Sequence, residues 1–354
     1  MLAADSKVVP AAGGDAVRAE AAVSWKRISD PIESFLDAVH QRLAQEVEAF
    51  DPAIYPYADY ALNGQGKHLR PALVALTANA LGQASETHIK AAVIIEMVHL
   101  ATLIHDDVMD EAEIRRGQLT LAANWGNEIA VLFWDCLFAR ALSQAASFPT
   151  PEVCRAVAMA TNTVCSGEIL QTQHRNDFHL TREEYFKVLE MKTAELFALS
   201  CELSAFLSSA QPVQRGALRR FGLCFGTAYQ IYDDCVDLFG SESTAGKSLG
   251  TDLAKGKLTL PVLLARERAE ASDRERLQGL IHGWQAGSMK ALAKLLVKYD
   301  TLAGSLDILN DHLQQASEAL GVLPASGGRV GLLGLTEFLA HQTDSLGALP
   351  GASL

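Results

Sequence analysis

Two short carboxylate clusters stand out. HDDVMD places Asp106, Asp107 and Asp110 at positions i, i+1 and i+4, and YDDCVD repeats the spacing with Asp233, Asp234 and Asp237. On a helix turning ~100° per residue these positions fall within an arc of about 100°, so each cluster presents three carboxylates on one face. Crowded carboxylates repel one another unless something positive sits between them. An oxygen-only donor set selects a hard cation, Mg2+ before Ca2+. Mg2+ keeps part of its water and shares protein carboxylates with substrate phosphates, so the implied substrate carries a phosphate or diphosphate. A solvated acidic face is the plainer alternative. It sits badly with the flanks VHLATLIHDDVMD and FGTAYQIYDDCVDLFG, where apolar surroundings make unpaired charge expensive.

Cations gather beside both clusters. Arg115 and Arg116 follow the first, Lys247, Lys255 and Lys257 follow the second, and GQGKHLRP upstream supplies Lys67 and Arg70. Gly64 and Gly66 in that segment let backbone amides approach an anion. The segment lacks the Gly-Lys-Ser/Thr ending of a nucleotide-binding loop.

The elements that must carry these residues read as helices. The eleven prolines leave four long proline-free intervals, 72–148, 152–211, 213–260 and 262–323, filled with Ala, Leu, Glu, Lys, Gln and Arg. Apolar residues recur at three- and four-residue spacing in FLDAVHQRLAQEV, VIIEMVHLATLI and AELFALSCELSAFL, while period-two alternation is scarce. The fold class expected is all-α. Breaks are expected near residues 51–56, 147–151, 210–212, 239–252 and 321–328. The Ala/Gly-rich residues 1–24 read as a flexible N-terminal tail, residues 25–345 as one domain, and residues 346–354 as a C-terminal tail.

Composition narrows the function. Among 354 residues, 30 Lys plus Arg face 42 Asp plus Glu, a net charge of −12, which opposes nucleic acid as a partner. Hydrophobic residues make up 49%, enough for a substantial core. The longest apolar stretch, AAVIIEMVHLATLI, is interrupted by Glu96 and His99, so no transmembrane segment is expected, and the N-terminus lacks the pattern of a signal peptide. Six cysteines without a CxxC pair read as reduced thiols, which points to a cytoplasmic protein.

Six ordered blocks together resemble the trans-isoprenyl diphosphate synthase (polyprenyl synthetase) family over roughly residues 35–345. They are GQGKHLRP, EMVHLATLIHDDVMDEAEIRRGQLT, GEILQ, KTAELF, YQIYDDCVDLFG and GKSLGTDLAKGKLTLP. The resemblance implies a single all-α bundle with a deep central pocket, usually homodimeric. It implies Mg2+-dependent condensation of isopentenyl diphosphate with an allylic prenyl diphosphate. By that resemblance Asp106, Asp107, Asp110, Asp233, Asp234 and Asp237 would hold the metals bridging the allylic diphosphate. Arg115, Lys192 and Lys257 would contact that diphosphate, with Lys247 nearby. Lys67, Arg70, His99 and Arg116 would hold isopentenyl diphosphate, and Thr193 and Gln230 match positions beside the reacting carbons. His99 lies seven residues before Asp106 and so nearly on its helix face.

Product length is read from the helix ahead of the first cluster. Thr102 lies four residues before Asp106, about −40° around the helix and ~6 Å below it. Ala101 joins it at the pocket wall by resemblance, and short-chain relatives tend to carry bulky aromatics there. Small residues leave a tunnel open, so a product longer than C20 is expected, which the resemblance places at C30–C40, with a short-chain product as the alternative. Departures from the family pattern are Gln65 and His68 in the first block, and Trp134 where Gly commonly precedes Asp. A terpene cyclase would carry Asn, Ser and Glu at its second metal site. A head-to-head synthase would be expected to pair with membrane. A non-catalytic subunit of a heteromeric synthase would have lost aspartates or cations that are all present here.

Overall fold

A computed structural model describes residues 25–62, 66, 68–115, 117–240 and 249–347. Gly64, Gln65, Lys67, Arg116 and Lys247 lie outside the described residues, as do the tail 1–24 and residues 348–354.

The chain runs α1 (Glu33–Glu48), α2 (Tyr55–Leu62), α3 (Leu69–Leu81), α4 (Glu86–Met109), β1 (Ile114–Arg115), β2 (Gln118–Leu119), α5 (Leu121–Trp125), α6 (Asn127–Ala146) and α7 (Pro151–Gln173). It continues with α8 (Arg182–Leu189), a π-helical turn (Glu190–Ala194), α9 (Glu195–Leu207), α10 (Pro212–Phe239), α11 (Thr251–Ala254), α12 (Leu260–Arg268), α13 (Ala271–His282), α14 (Met289–Lys298), α15 (Thr301–Ala319) and α16 (Gly327–Thr343). Prolines mark helix starts. Pro151 and Pro212 occupy first-turn positions, where a missing N–H costs nothing. The expected all-α class is what the protein adopts. Among the described residues the departure is the two-stranded ribbon β1–β2, which pairs Ile114 with Leu119 and Arg115 with Gln118 around Gly117 at φ 78°. This ribbon turns Arg115 back toward the end of α4.

The helix α4 is apolar around most of its girth, so it belongs inside the bundle. It is capped by Ser85, whose side chain accepts from the first turn while His88 Nδ1 accepts the Ser85 N–H at 3.2 Å. Its neighbours include α3, α6 and α9. By length and composition α4 and α6 are each apolar enough to cross a membrane, but α4 is a core helix whose last turn carries Asp106 and Asp107. α6 runs antiparallel to α4: Lys90 reaches Ser147 at one end, and His105 stacks on Trp134 at the other, with ring centroids 5.0 Å apart. One continuous set of buried side chains extends from Ile28 to Leu339.

The π-helical turn is wedged between α7 and α10. A Cβ on Gly167 would fall 2.7 Å from the Lys192 backbone nitrogen, and one on Gly226 would fall 2.7 Å from Ala194 Cα. Backbones at this separation admit only glycine, and the turn carries Lys192 and Thr193. π-helical turns are frequent at functional sites because the extra residue re-aims side chains. Gly167→Ala and Gly226→Ala are each expected to cost about 1–3 kcal/mol by overpacking. Gly279→Ala, in α13 with open space around the added methyl, is expected to stabilise by about 0.4–1 kcal/mol. Chemical denaturation of the three variants checks this; a neutral Gly226→Ala would show that the wedge yields freely.

Candidate functional site

Both aspartate clusters sit at C-terminal helix ends. Asp106 and Asp107 lie in the last turn of α4 and Asp110 immediately follows it, while Asp233–Asp237 lie just inside the end of α10. The helix dipole makes these ends negative, so the carboxylates gain nothing from the backbone and depend on cations.

The first cluster receives those cations from five positions. Arg115 Nε donates to Asp107 Oδ1 at 2.8 Å, from the ribbon β1–β2. Lys192 Nζ lies 3.4 Å from Asp106 Oδ2 and also pairs with Glu168 on α7. Asp110 accepts from Arg175 Nη2 at 2.9 Å on Oδ1, and from Lys257 and Lys255 Nζ at 2.8 and 3.1 Å on Oδ2. The titration behaviour follows from the surroundings. Burial raises the Asp106 carboxyl above its usual range; Lys192 opposes the shift and the charges of Glu168 and Asp110 reinforce it. Burial likewise raises Asp107 despite Arg115. Burial also acts to raise Asp110, but Lys257 and Lys255 outweigh it and hold that carboxyl low. Burial would lower the Lys192 ammonium, and Asp106 and Glu168 more than offset it, leaving it raised.

The second cluster is organised differently. Asp234 is buried and accepts from Tyr185 Oη at 2.6 Å and Gln230 Nε2 at 2.8 Å. Burial, followed by the charge of Asp252, pushes its pKa well up. Gln230 Oε1 accepts from Thr193 Oγ1 at 3.0 Å, so a hydrogen-bonded chain links the π-helical turn to α10 and α8. Asp237 has no exposed surface. Its Oδ1 accepts from Thr251 N–H at 3.2 Å and Thr251 Oγ1 at 2.7 Å, and its Oδ2 accepts from Asp252 N–H at 3.2 Å. Asp233 is half-buried. The six carboxylates thus differ in what they hold, and Asp107, Asp234 and Asp237 each bind neighbouring protein groups. Among the described residues no group of three carboxylate, His or Cys side chains converges into a metal cage.

The remaining expected positions are dispersed around this centre. The Arg70 guanidinium stands 4.5 Å above the Phe197 ring. His99 is half-buried, and its carbonyl accepts the Thr102 hydroxyl at 2.7 Å. Ala101 is fully buried. Lys67, Arg116 and Lys247, expected at the diphosphates, lie outside the described residues. Sequence reasoning did not assign Glu168, Arg175 or Tyr185. Glu168 stood within GEILQ, three residues before Gln171, whose Nε2 it meets at 3.4 Å. Arg175 and Tyr185 carried no local signal, because their partners are 65 and 49 residues away.

Residues 51–298 match the sequence model of the family described as polyprenyl synthetase. The octaprenyl diphosphate synthase of Escherichia coli K12 is 32% identical over 311 residues, covering 87% of this chain and 94% of that one. A short chain isoprenyl diphosphate synthase of Methanothermobacter thermautotrophicus is 30% identical over 320 residues, covering 89% and 98%. The crystal structure of a polyprenyl synthase from Caulobacter crescentus CB15, complexed with calcium and isoprenyl diphosphate, superposes with a TM-score of 0.84 at 32% identity, covering 90% and 97%. A bundle of helices presenting two aspartate clusters at their C-terminal ends, matched over this span, makes the chain a prenyltransferase that belongs to the polyprenyl synthetase family.

Proposed function

We propose that the chain is a Mg2+-dependent synthase that condenses isopentenyl diphosphate with an allylic prenyl diphosphate to give an all-trans polyprenyl diphosphate longer than C20. The observation that carries the metal and diphosphate assignment is the setting of Asp106: half-buried, crowded by Glu168 and Asp110, at a negative helix end, with Lys192 beside it. Such a carboxylate gains from a second cation. We assign the metal to the two clusters together, Asp106, Asp107 and Asp110 at the end of α4 and Asp233, Asp234 and Asp237 at the end of α10. Bound there, Mg2+ would neutralise charge on the departing diphosphate. The Caulobacter relative's capture with calcium and isoprenyl diphosphate supports a divalent ion at this kind of site.

The chain's own residues do the rest. Lys192, Lys257 and Arg115 place fixed positive charge where the diphosphate leaves, which is where charge develops in the transition state. Arg70 and Lys67, with His99 and Arg116, would orient isopentenyl diphosphate so that its double bond meets the allylic carbon. The Thr193–Gln230–Asp234–Tyr185 chain fixes the polar groups nearest the reacting carbons. The apolar bundle keeps water from the carbocation.

We read residues 25–345 as one domain and the protein as a cytoplasmic homodimer. Leu132 on α6 and Met159 and Ile169 on α7 are 61%, 65% and 59% exposed, apolar residues that a second copy would cover. The six cysteines are free, and burial pushes the Cys201 thiol up to about 12.

Product length is set where α4 and α6 face each other. The antiparallel register puts Ala101, one turn above His105, level with Leu137 and Phe138, one turn beyond Trp134. Trp134 and Phe138 stack with centroids 6.2 Å apart, so an aromatic wall faces the small residues of α4. The short-chain Methanothermobacter relative gives the C15–C20 alternative its weight.

Three outcomes are expected. Asp106→Ala or Asp233→Ala should lower turnover roughly 10²-fold or more at saturating Mg2+; a variant near the wild-type rate removes that residue from the metal set. Lys67→Ala and Arg70→Ala should raise chiefly the KM for isopentenyl diphosphate, and Lys192→Ala that for the allylic substrate. Equal effects on both constants would contradict the partition. Thr102→Phe or Ala101→Phe should shorten the product, since an added ring in a packed wall is not displaced cheaply. Reversed-phase sizing of the dephosphorylated products decides it, and a wild-type product stopping at C15 would overturn the open-tunnel reading.

A further inference from the structure

The first aspartate cluster ends in an imbalance of charge. Asp110 alone accepts from Arg175, Lys255 and Lys257, at 2.9, 3.1 and 2.8 Å. Arg175 lies just beyond the end of α7 and Lys255 just beyond α11, so two loops distant in sequence converge on one carboxylate. They are locked together. Asn176 N–H donates to the Gly256 carbonyl at 2.7 Å, and both residues adopt left-handed backbone, φ 60° and 72°. A Cβ on Gly256 would lie 2.6 Å from Asn176 Oδ1. The convergence is thus fixed by backbone geometry.

Three cations thus meet one carboxylate, and the site is partly enclosed: the side chains of Asp110, Lys257, Arg175 and Lys255 are 10%, 12%, 25% and 30% exposed. Asp106 pairs with Lys192 and Asp107 with Arg115, and the charges of Lys257 and Lys255 also act on Asp106 and Asp107. Uncompensated positive charge in such a place is costly unless an anion joins it. The Arg175 Nε is buried with no hydrogen-bond partner among the described residues, so part of its donor fork is unused. A guanidinium fork fits two oxygens of a phosphate or carboxylate. If Asp110 turns to a divalent ion, all three cations need other oxygens at once.

We propose that Arg175, with Lys255 beside it, is an additional seat for a phosphoryl group of the allylic diphosphate, which Asp110 fills in the absence of substrate. The inference rests on the prenyl synthase reading and adds a contact to it. Lys255, one of the cations that follow the second cluster in the sequence, is drawn into the same seat.

The test uses the full chain as wild type, Arg175→Gln, Arg175→Lys and Lys255→Gln. Wild-type turnover is measured first with both substrates; its absence would count against the prenyl synthase reading and is separable from the variant comparisons. Arg175→Gln is expected to raise the KM for the allylic diphosphate about 10-fold while that for isopentenyl diphosphate changes less than about 2-fold. Arg175→Lys should recover part of the loss, because lysine restores charge without the fork. Calorimetric titration with inorganic diphosphate, with and without Mg2+, should show weaker binding by Arg175→Gln independently of turnover. Unchanged allylic KM and diphosphate affinity, or equal rises in both KM values, would overturn the proposal. If Arg175→Gln does not fold, Lys255→Gln read by the same two measurements decides it, with a smaller loss of the same selectivity expected.

Discussion

Carboxylates at the negative ends of two buried helices are the constraint on which the rest of the architecture depends. Neither the helix dipole nor the apolar surroundings favours ionised Asp106, Asp107 or Asp110. Each is kept by a cation brought from elsewhere: Lys192 from the π-helical turn, Arg115 from the ribbon, Arg175 and the two lysines from loops after α7 and α11. Elements that look incidental in a helical bundle are therefore the ones that deliver positive charge. A ribbon of two-residue strands would be marginal in isolation, yet it holds the guanidinium that the last turn of α4 requires.

The delivery is rigid because the backbones touch. Gly167 and Gly226 let α7 and α10 close on the π-helical turn, so Lys192 and Thr193 are positioned by main-chain contact. Thr193 then reaches Gln230, and Gln230 reaches Asp234, which Tyr185 holds from the other side. The two aspartate clusters thus share one support. Lys192 steadies the first, and its neighbour Thr193 opens the hydrogen-bonded chain that steadies the second.

Much of this is legible in the residues alone. The all-α class follows from proline spacing and apolar periodicity, and the expected breaks fall where α6 gives way to α7 and α9 to α10. Both aspartate clusters stand at helix ends, and Lys255 and Lys257 lie beside the first cluster rather than the one they follow. What spacing cannot show is how equivalent carboxylates divide. Asp237 matches Asp110 in register, yet Asp110 faces three cations while Asp237 caps the turn at Thr251. That difference depends on where the chain goes after the helix, which a six-residue motif does not contain. Arg175 and Tyr185 are invisible in the sequence for the same reason: their roles arise from contacts across the fold.

The antiparallel pairing of α4 and α6 joins the chemistry to the size of the product. The same helix that carries Asp106 carries Ala101 and Thr102 one turn earlier, so a chain growing away from a diphosphate held there would pass between these small side chains and whatever α6 presents. α6 presents Trp134, stacked on His105, and then Phe138. His105 is adjacent to Asp106, so the indole rests against the residue beside the first aspartate instead of lying deep in the bundle. A ring at that level would border such a passage near the aspartates, whereas Phe138 and the buried Ala101 lie a turn further along the two helices. Small residues on one wall thus do not by themselves define an open tunnel. The clearance is the sum of both walls, and in this chain the second wall is aromatic.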